Sequence, residues 1–340
     1  MSPALAPLLV TMGDPAGCGP QITGKAWQTL RAEPDSTFAV IGAEKVFQPF
    51  CRTRKITSLS EAHQTFSDAL PVLEIAPDLP AVTPGEPSAQ TAPAIITAIE
   101  TGTRLVQTGE ASALVTNPIN KAFLYTSGFP HPGHTEFIAS LCEEMTGTSI
   151  SPVMMLVGGG LRVSLATIHL PLIEAAAALS GDLLINTAIT THNGLQRDFG
   201  LSNPKIAFTG LNPHAGESGA IGTEEVEIIN PAADALRSRG IDISDARPAD
   251  TVFAEALGGA YDAVIAMTHD QGLIPVKTLD FWGGVNTTLG LPIIRTSPDH
   301  GTAYEAARAG ACREDSLLAA IRLAFTNADN RHQAEAQSDG

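Results

Sequence analysis

Apolar runs of strand length alternate with longer helix-patterned stretches along the chain. The strand-like runs are Leu8 to Met12, Phe38 to Ile41, Ala113 to Thr116, Val153 to Val157, Arg162 to Thr167, Ile206 to Gly210 and Ala263 to Met267. The clearest helical patterns are Ala92 to Thr108, Gly181 to Gln196 and Thr223 to Arg239, the last acidic at its start and basic at its end, as the helix dipole favours. This alternation predicts an α/β fold of largely parallel sheets covered by helices. No internal repeat is visible. The Pro-rich stretch from Pro77 to Pro93 reads as a surface connection, and the polar tail after Asn327, residues 331–340 above all, is expected to be disordered.

At 340 residues the chain is long enough for two domains of roughly 150 residues each. Pro130 and Pro132 break the pattern near Gly128 to Gly133, and a return edge falls near Ser297 to Gly301. The expected division is therefore residues 1–127 with 300–330 as a discontinuous first α/β domain, and 128–299 as the second. Apolar residues make up 44%, with 31 Gly and 24 Pro, as in a globular protein.

A formal charge of −16 argues against nucleic acid and anionic membranes as partners. It leaves room for a small anionic substrate held by local cations. Such cations are scarce: between Lys121 and Arg197 the only Lys or Arg is Arg162. Cys18, Cys51, Cys142 and Cys312 form no Cys-x-x-Cys, so reduced thiols and a cytoplasmic location are expected. No basic residue precedes the first apolar run, as a signal peptide requires, and no stretch reaches the ~18 apolar residues of a membrane span.

In parallel α/β sheets ligands bind beyond the carboxyl ends of the strands, and the unusual turns lie there. Gly13-Asp14-Pro15 follows the first run, and Asn117-Pro118 follows Ala113 to Thr116. Three histidines follow later runs: His169 in Thr-Ile-His-Leu-Pro, His214 in Asn-Pro-His-Ala-Gly-Glu and His269 in Thr-His-Asp-Gln-Gly. Three imidazoles with polar neighbours Asn212, Glu217, Asp270 and Gln271 suit a divalent metal with positions left open for substrate. Independent core histidines have no reason to share this placement. Asp250, before a helix pattern, reads as an N-cap or as a fourth oxygen ligand or acid/base group.

Lys277 and Arg295 flank Gly283-Gly284-Val285-Asn286, a combination suited to phosphate or carboxylate; solvated surface charges are the competing account. His134-Thr135 at a helix start adds donors where anions bind well, unless Thr135 is merely the cap. Two nucleotide motifs fail. Gly17-Cys18-Gly19 is followed by Ile22 where a dinucleotide fingerprint has its third glycine, and Gly19 to Lys25 is followed by Ala26, not the magnesium-binding hydroxyl of a P-loop.

Taken together, these motifs resemble the 4-hydroxythreonine-4-phosphate dehydrogenases of pyridoxal phosphate biosynthesis. The resemblance runs from Gly13-Asp14-Pro15-Ala16-Gly17 through Asn117-Pro118-Ile119-Asn120-Lys121, Pro132-Gly133-His134-Thr135-Glu136, Gly210 to Glu217, His269-Asp270-Gln271-Gly272 and Gly284-Val285-Asn286. It continues through Gly290-Leu291-Pro292 to Asp299-His300-Gly301-Thr302-Ala303. It implies two α/β domains around a cleft, like isocitrate and isopropylmalate dehydrogenases, and a homodimer with shared active sites. By the same resemblance His169, His214 and His269 are metal ligands drawn from both subunits. His134, Thr135, Lys277, Asn286 and Arg295 are substrate contacts, Asp250 lies near the metal, and His300, Gly301 and Thr302 belong to the NAD(P) loop. Cys18, Gln21, Thr268 and the run Ala307-Arg308-Ala309-Gly310 depart from the family pattern.

The implied reaction is NAD(P)-dependent oxidation of 4-phosphohydroxy-L-threonine, then decarboxylation to 3-amino-2-oxopropyl phosphate, with zinc, magnesium, cobalt or manganese as the metal and Lys121 or Asp250 moving a proton. Related dehydrogenases of four-carbon sugar-acid phosphates share nearly all these motifs. A metal hydrolase activating water is the rival from another class, with a solute-binding protein and a P-loop kinase behind it.

Overall fold

A computed structural model describes residues 5–33, 36–126, 128–131 and 133–338. Its strands are β1 (Leu8–Thr11), β2 (Phe38–Gly42), β3 (Thr53–Ile56), β4 (Leu70–Glu74), β5 (Leu114–Val115), β6 (Val153–Gly158), β7 (Leu161–Leu165), β8 (Ile206–Thr209), β9 (Ile243–Arg247), β10 (Ala263–Ala266), β11 (Val285–Leu289) and β12 (Arg295–Pro298). Every predicted run becomes a strand, with its ends moved by one or two residues. The chain falls into two compact units, Met1–Ile150 with Leu291–His332, and Ser151–Gly290 with Gln333–Gly340.

The expected edges at 127/128 and 299/300 are thus drawn at 150/151 and 290/291. The reason lies in packing. The helix His134–Thr146 lies on the helix Ala92–Gln107 and buries Phe137, Ile138 and Cys142, so the chain stays in the first unit until Gly147, in left-handed conformation, ends that helix. On the return, β12 pairs in parallel with β5 and so brings Arg295 into the first unit.

The first unit orders its strands β3-β4-β2-β1-β5-β12, all parallel. Strands β1 and β2 are buried throughout, as expected of parallel strands covered on both faces. A last helix, Asp315–Ser338, begins in this unit. Arg331 in that helix donates to the carbonyl of Pro292 at 2.7 Å, which ties down a stretch that looks merely polar in sequence.

The second unit orders its strands β11-β6-β7-β10-β8-β9 and is not all parallel. Strand β6 runs antiparallel to both β7 and β11. The cause is local: Gly159 and Gly160 both adopt positive φ, 58° and 85°, the two-residue hairpin turn that matches strand twist. Alternation then assigns the faces. Phe208, Ile265 and Met267 face a core completed by Leu184, Ala188, Leu195 and Leu236, while Ala207, Val264 and Ala266 face one completed by Val252, Phe253 and Val276. The predicted helix from Thr223 to Arg239 begins with a widened π turn, Glu225–Ile229, before a regular helix Asn230–Arg237.

No single helix among the described residues is long and apolar enough to cross a membrane. The helix His269–Leu279 lies close over β7 and β10 because Gly272 carries no side chain; a Cβ there would stand 2.5 Å from Leu165 Cδ2 and 3.0 Å from Val163 Cγ1. Gly272→Ala is therefore expected to lower stability by about 1–3 kcal/mol through overpacking, read as a lower urea midpoint at unchanged slope. An unchanged midpoint would show that this approach is not tight.

Candidate active site

Strands β7, β10 and β8 are parallel neighbours, so the segments that leave their carboxyl ends emerge on one edge of the second unit. Those segments carry His169, His269 and His214. Short buried hydrogen bonds tie the strand ends together. Thr167 Oγ1 donates to the Met267 carbonyl at 2.8 Å, and the Met267 N–H donates to Thr209 Oγ1 at 3.1 Å. Gln271 spans two segments, donating from Nε2 to the Gly210 carbonyl at 3.0 Å and accepting the Thr268 N–H at 3.1 Å. Thr268 and Gln271 thereby form a capping box that starts the helix behind His269.

His169 and His269 come together. Their ring centroids are 5.8 Å apart, and both line a cavity of about 390 Å³ with Thr167, Ile168, Leu172 and Asp270. Two imidazoles bound to one ion at ~2.1 Å stand with centroids roughly 5 Å apart, so the pair fits as two ligands of one divalent metal. Nδ1 of His269 lies 2.9 Å from Asp270 Oδ1. A carboxylate only accepts, so Nδ1 is the donor in this contact and Nε2 is the ring nitrogen left to face a Lewis acid.

His214 does not join them within this chain. It is exposed, it does not line that cavity, and no group of three His, Cys, Asp or Glu among the described residues is placed to hold an ion. Its backbone is unusual. His214, Ala215, Gly216, Glu217 and Ser218 all have positive φ, between 42° and 74°, and His169 has φ of 51°. For non-glycine residues this region costs roughly 1–2 kcal/mol each, and it persists only where surroundings enforce it. Buried beside the segment is Glu225, 1% exposed: Oε1 accepts the N–H groups of Leu211 and Asn212 at 2.8 and 2.7 Å, and Oε2 accepts Asn212 Nδ2 at 3.0 Å.

The first unit gathers a second set. His134 is the first residue of its helix, and Gly133, not Thr135, is the N-cap. His134 Nε2 is shielded from solvent with no hydrogen-bond partner, which marks a place for an incoming polar atom. Burial, reinforced by the charges of Arg295 and Lys121, holds the His134 imidazole well below its ordinary range, so it is neutral at physiological pH. Arg295, 3% exposed, donates from Nη2 to Thr116 Oγ1 at 2.7 Å; burial pushes its guanidinium down to about 10, opposed by the charge of Glu136.

Also in the first unit, the 13–18 turn is wired to the 300–304 loop. Cys18 N–H donates to the Thr302 carbonyl at 2.8 Å, and a Cβ on Gly17 would stand 2.9 Å from that oxygen. Tyr304 Oη donates to Asp14 Oδ2 at 2.6 Å, while Asp14 Oδ1 accepts the Ala16 N–H at 3.0 Å. Gly301 has nothing within 4 Å of a would-be Cβ and His300 is exposed, so the loop presents an open surface.

A family model, that of the pyridoxal phosphate biosynthetic protein PdxA, matches residues 35–324. The chain belongs to the PdxA family. It is similar to the 4-hydroxythreonine-4-phosphate dehydrogenases of Caulobacter vibrioides, 51% identical over 96% of this chain and 98% of that one, and of Maricaulis maris, 50% identical over 96% and 99%. A solved structure of the Klebsiella pneumoniae 4-hydroxythreonine-4-phosphate dehydrogenase superposes with a TM-score of 0.82 at 35% identity, covering 95% of this chain and 99% of that one.

Within this PdxA-family chain the remaining expected positions separate by unit. Lys121, His134, Thr135, Arg295, His300, Gly301 and Thr302 lie in the first, and Lys277, Asn286, Asp250 and the three histidines in the second. Lys277 Nζ stands 6.0 Å over the Phe281 ring, and Asn286 Oδ1 is solvent-shielded without a partner. Asp250 is exposed, and the N-cap alternative read for it falls to Thr251, which precedes the helix Val252–Leu257. Lys25, the P-loop look-alike, sits inside the helix Gly19–Leu30, bonded to the Cys312 carbonyl and 3.7 Å from Glu314. Sequence reading missed Glu225, which looks like an ordinary acid at a helix start, and the Asp14–Tyr304 pair, 290 residues apart.

Burial raises the Asp14 carboxyl above the ordinary value of about 4, so the folded state binds the extra proton and this group's contribution to stability falls as pH rises through the raised value. The Tyr304 hydroxyl limits that loss by donating to the ionised form. Tyr304→Phe is expected to cost about 1–3 kcal/mol at pH 7.5 and less towards pH 4, measured by urea unfolding at both. A gap that does not vary with pH would contradict the pairing.

Proposed function

We propose that this PdxA-family protein is a cytoplasmic, metal-dependent NAD(P) dehydrogenase that oxidises 4-phosphohydroxy-L-threonine to 2-amino-3-oxo-4-phosphooxybutanoate, which decarboxylates to 3-amino-2-oxopropyl phosphate. Half-identity over nearly the full length to 4-hydroxythreonine-4-phosphate dehydrogenases supports the reading. The observation that carries it is the pairing of His169 and His269 on one cavity, with the His269 ring oriented by Asp270.

His169 and His269 would hold the ion with His214 of a second copy of the chain, giving a homodimer with shared sites. Exposed Leu172 and Ile173 beside the cavity, 73% and 81% accessible, are apolar surface of the kind a second subunit covers. A divalent ion held there would supply Lewis-acid chemistry to an oxygen of the substrate. His134, Thr135, Lys277, Asn286 and Arg295 would bind the substrate, with the cations on its phosphate. Binding energy spent there positions the reacting carbon. His134 is neutral and Nε2 is unsatisfied, so it adds directional hydrogen bonding and no net charge. Of the two candidates for moving the hydroxyl proton, Lys121 stands within electrostatic reach of His134, whereas Asp250 is exposed on the other unit. His300, Gly301 and Thr302 fit the adenosine side of NAD(P), because the loop is open at Gly301 and braced from behind by Cys18.

The direct test is NADH formation, followed by absorbance, from 4-phosphohydroxy-L-threonine with and without a chelator, beside threonate and erythronate 4-phosphates. The expected result is turnover of the first that collapses on chelation and returns with added zinc or cobalt. Faster turnover of a sugar-acid phosphate would reassign the substrate, and no NADH from any of them with metal present would overturn the dehydrogenase reading.

Complementation tests the shared site. His214→Ala and His269→Ala proteins, each inactive, are expected to regain about a quarter of wild-type activity when subunits are exchanged, since random pairing makes half the dimers mixed and one of their two sites intact. No recovery despite verified exchange would place all the ligands on one chain.

A further inference from the structure

We infer that Glu225 is a positioning residue which, by clamping the left-handed segment His214–Ser218, presents the His214 imidazole and so sets metal affinity without touching the metal. The inference rests on the reading of His214 as a ligand. Glu225 is buried, yet among the described residues no ion pair reaches it. Its charge is met instead by N–H donors, and all three belong to the two residues that lead into the His214 turn, Leu211 and Asn212. A buried carboxylate that spends its hydrogen bonds in this way fixes the start of that turn.

Packing extends the clamp into the turn itself. A Cβ at Gly216 would stand 2.5 Å from Glu225 Oε2, and one at Gly210 would stand 3.1 Å from Oε1, so the carboxylate is wedged between two glycines that bracket His214. The far side of the turn is tied separately: Ile221 N–H donates to the Gly216 carbonyl at 3.1 Å, and Glu224, next to Glu225, accepts from Asn212 Nδ2 at 2.7 Å. The π turn starting at Glu225 is a helical irregularity of the kind that gathers at functional sites. With four non-glycine residues in left-handed conformation, the segment has every reason to relax once the clamp is loosened, and His214 would then move.

A carboxamide at this position can keep the two backbone bonds on its oxygen but turns a donor towards Asn212 Nδ2, so Glu225→Gln loosens the clamp with the least damage. The experiment is a Co²⁺ titration of the full-length protein, followed by visible absorption, on wild type, Glu225→Gln, His214→Ala and the double variant, with thermal unfolding of each. Glu225→Gln is expected to weaken Co²⁺ binding about 10–100-fold, the range seen when groups supporting a ligand are removed, with little change in unfolding temperature. The double variant is expected to bind no more weakly than His214→Ala alone, because Glu225 acts only through that ring. A purely structural role would add its loss on top of the His214 loss.

Unchanged affinity in Glu225→Gln, or additive losses in the double variant, would overturn the inference. If His214→Ala itself binds Co²⁺ normally, the ligand reading fails and takes the clamp's role with it, an outcome separate from the other two. Should Glu225→Gln not fold, Gly216→Ala pushes on the same carboxylate from the turn, and the same loss, again absent on the His214→Ala background, is required.

Discussion

The site depends on the parallel adjacency of β7, β10 and β8 in the second unit, with their carboxyl ends tied by buried side-chain hydrogen bonds. Parallel neighbours deliver their connecting segments to one edge, and that alone brings three sequence-distant histidines to the same side of a sheet. Thr167, Thr209 and Gln271 then fix how far each strand runs before it turns. Each satisfies a backbone group at a strand end where the ladder stops, so polarity that would otherwise cost stability is converted into a defined exit.

In each unit the backbone is strained at a few points. Left-handed conformations at His169, at His214–Ser218 and at Ala303 all occur in segments that carry candidate ligand or cofactor contacts. Strain of this kind persists only where fixed neighbours hold it, and at the entry to the His214 turn Asn212 bonds to both Glu225 and Glu224. The first unit buries Arg295 against Thr116 and keeps His134 neutral beside it, with Nε2 of that ring shielded from solvent and without a partner.

Much of this was legible in the sequence. The apolar runs located the strands that carry the site because buried parallel strands are apolar at every position, and the turns after them stood out against that background. Strands β3 and β9 escaped notice because they mix exposed and buried residues, as in Thr53–Ile56, β4 because Pro71 interrupts its apolar run, and β11 and β12 because Thr and Ser fill buried positions. The antiparallel β6–β7 pair had a signal, glycines between two close runs, that alternation with helices elsewhere obscured. Thr268 shows a departure from the family pattern acquiring a physical meaning, as a helix cap. Glu225 could not be read, since an acid near a helix start has an ordinary explanation in the dipole and nothing in sequence says that it points inward.

The central claim is that His169 and His269 form a metal-binding pair, and anomalous scattering from a zinc-soaked crystal of the full-length protein tests it most directly. The expected result is one anomalous peak about 2.1 Å from a ring nitrogen of each, at the mouth of the cavity that both line. Ordered crystals at saturating zinc in which both imidazoles stand free of metal, or in which the ion sits on other residues, would contradict it.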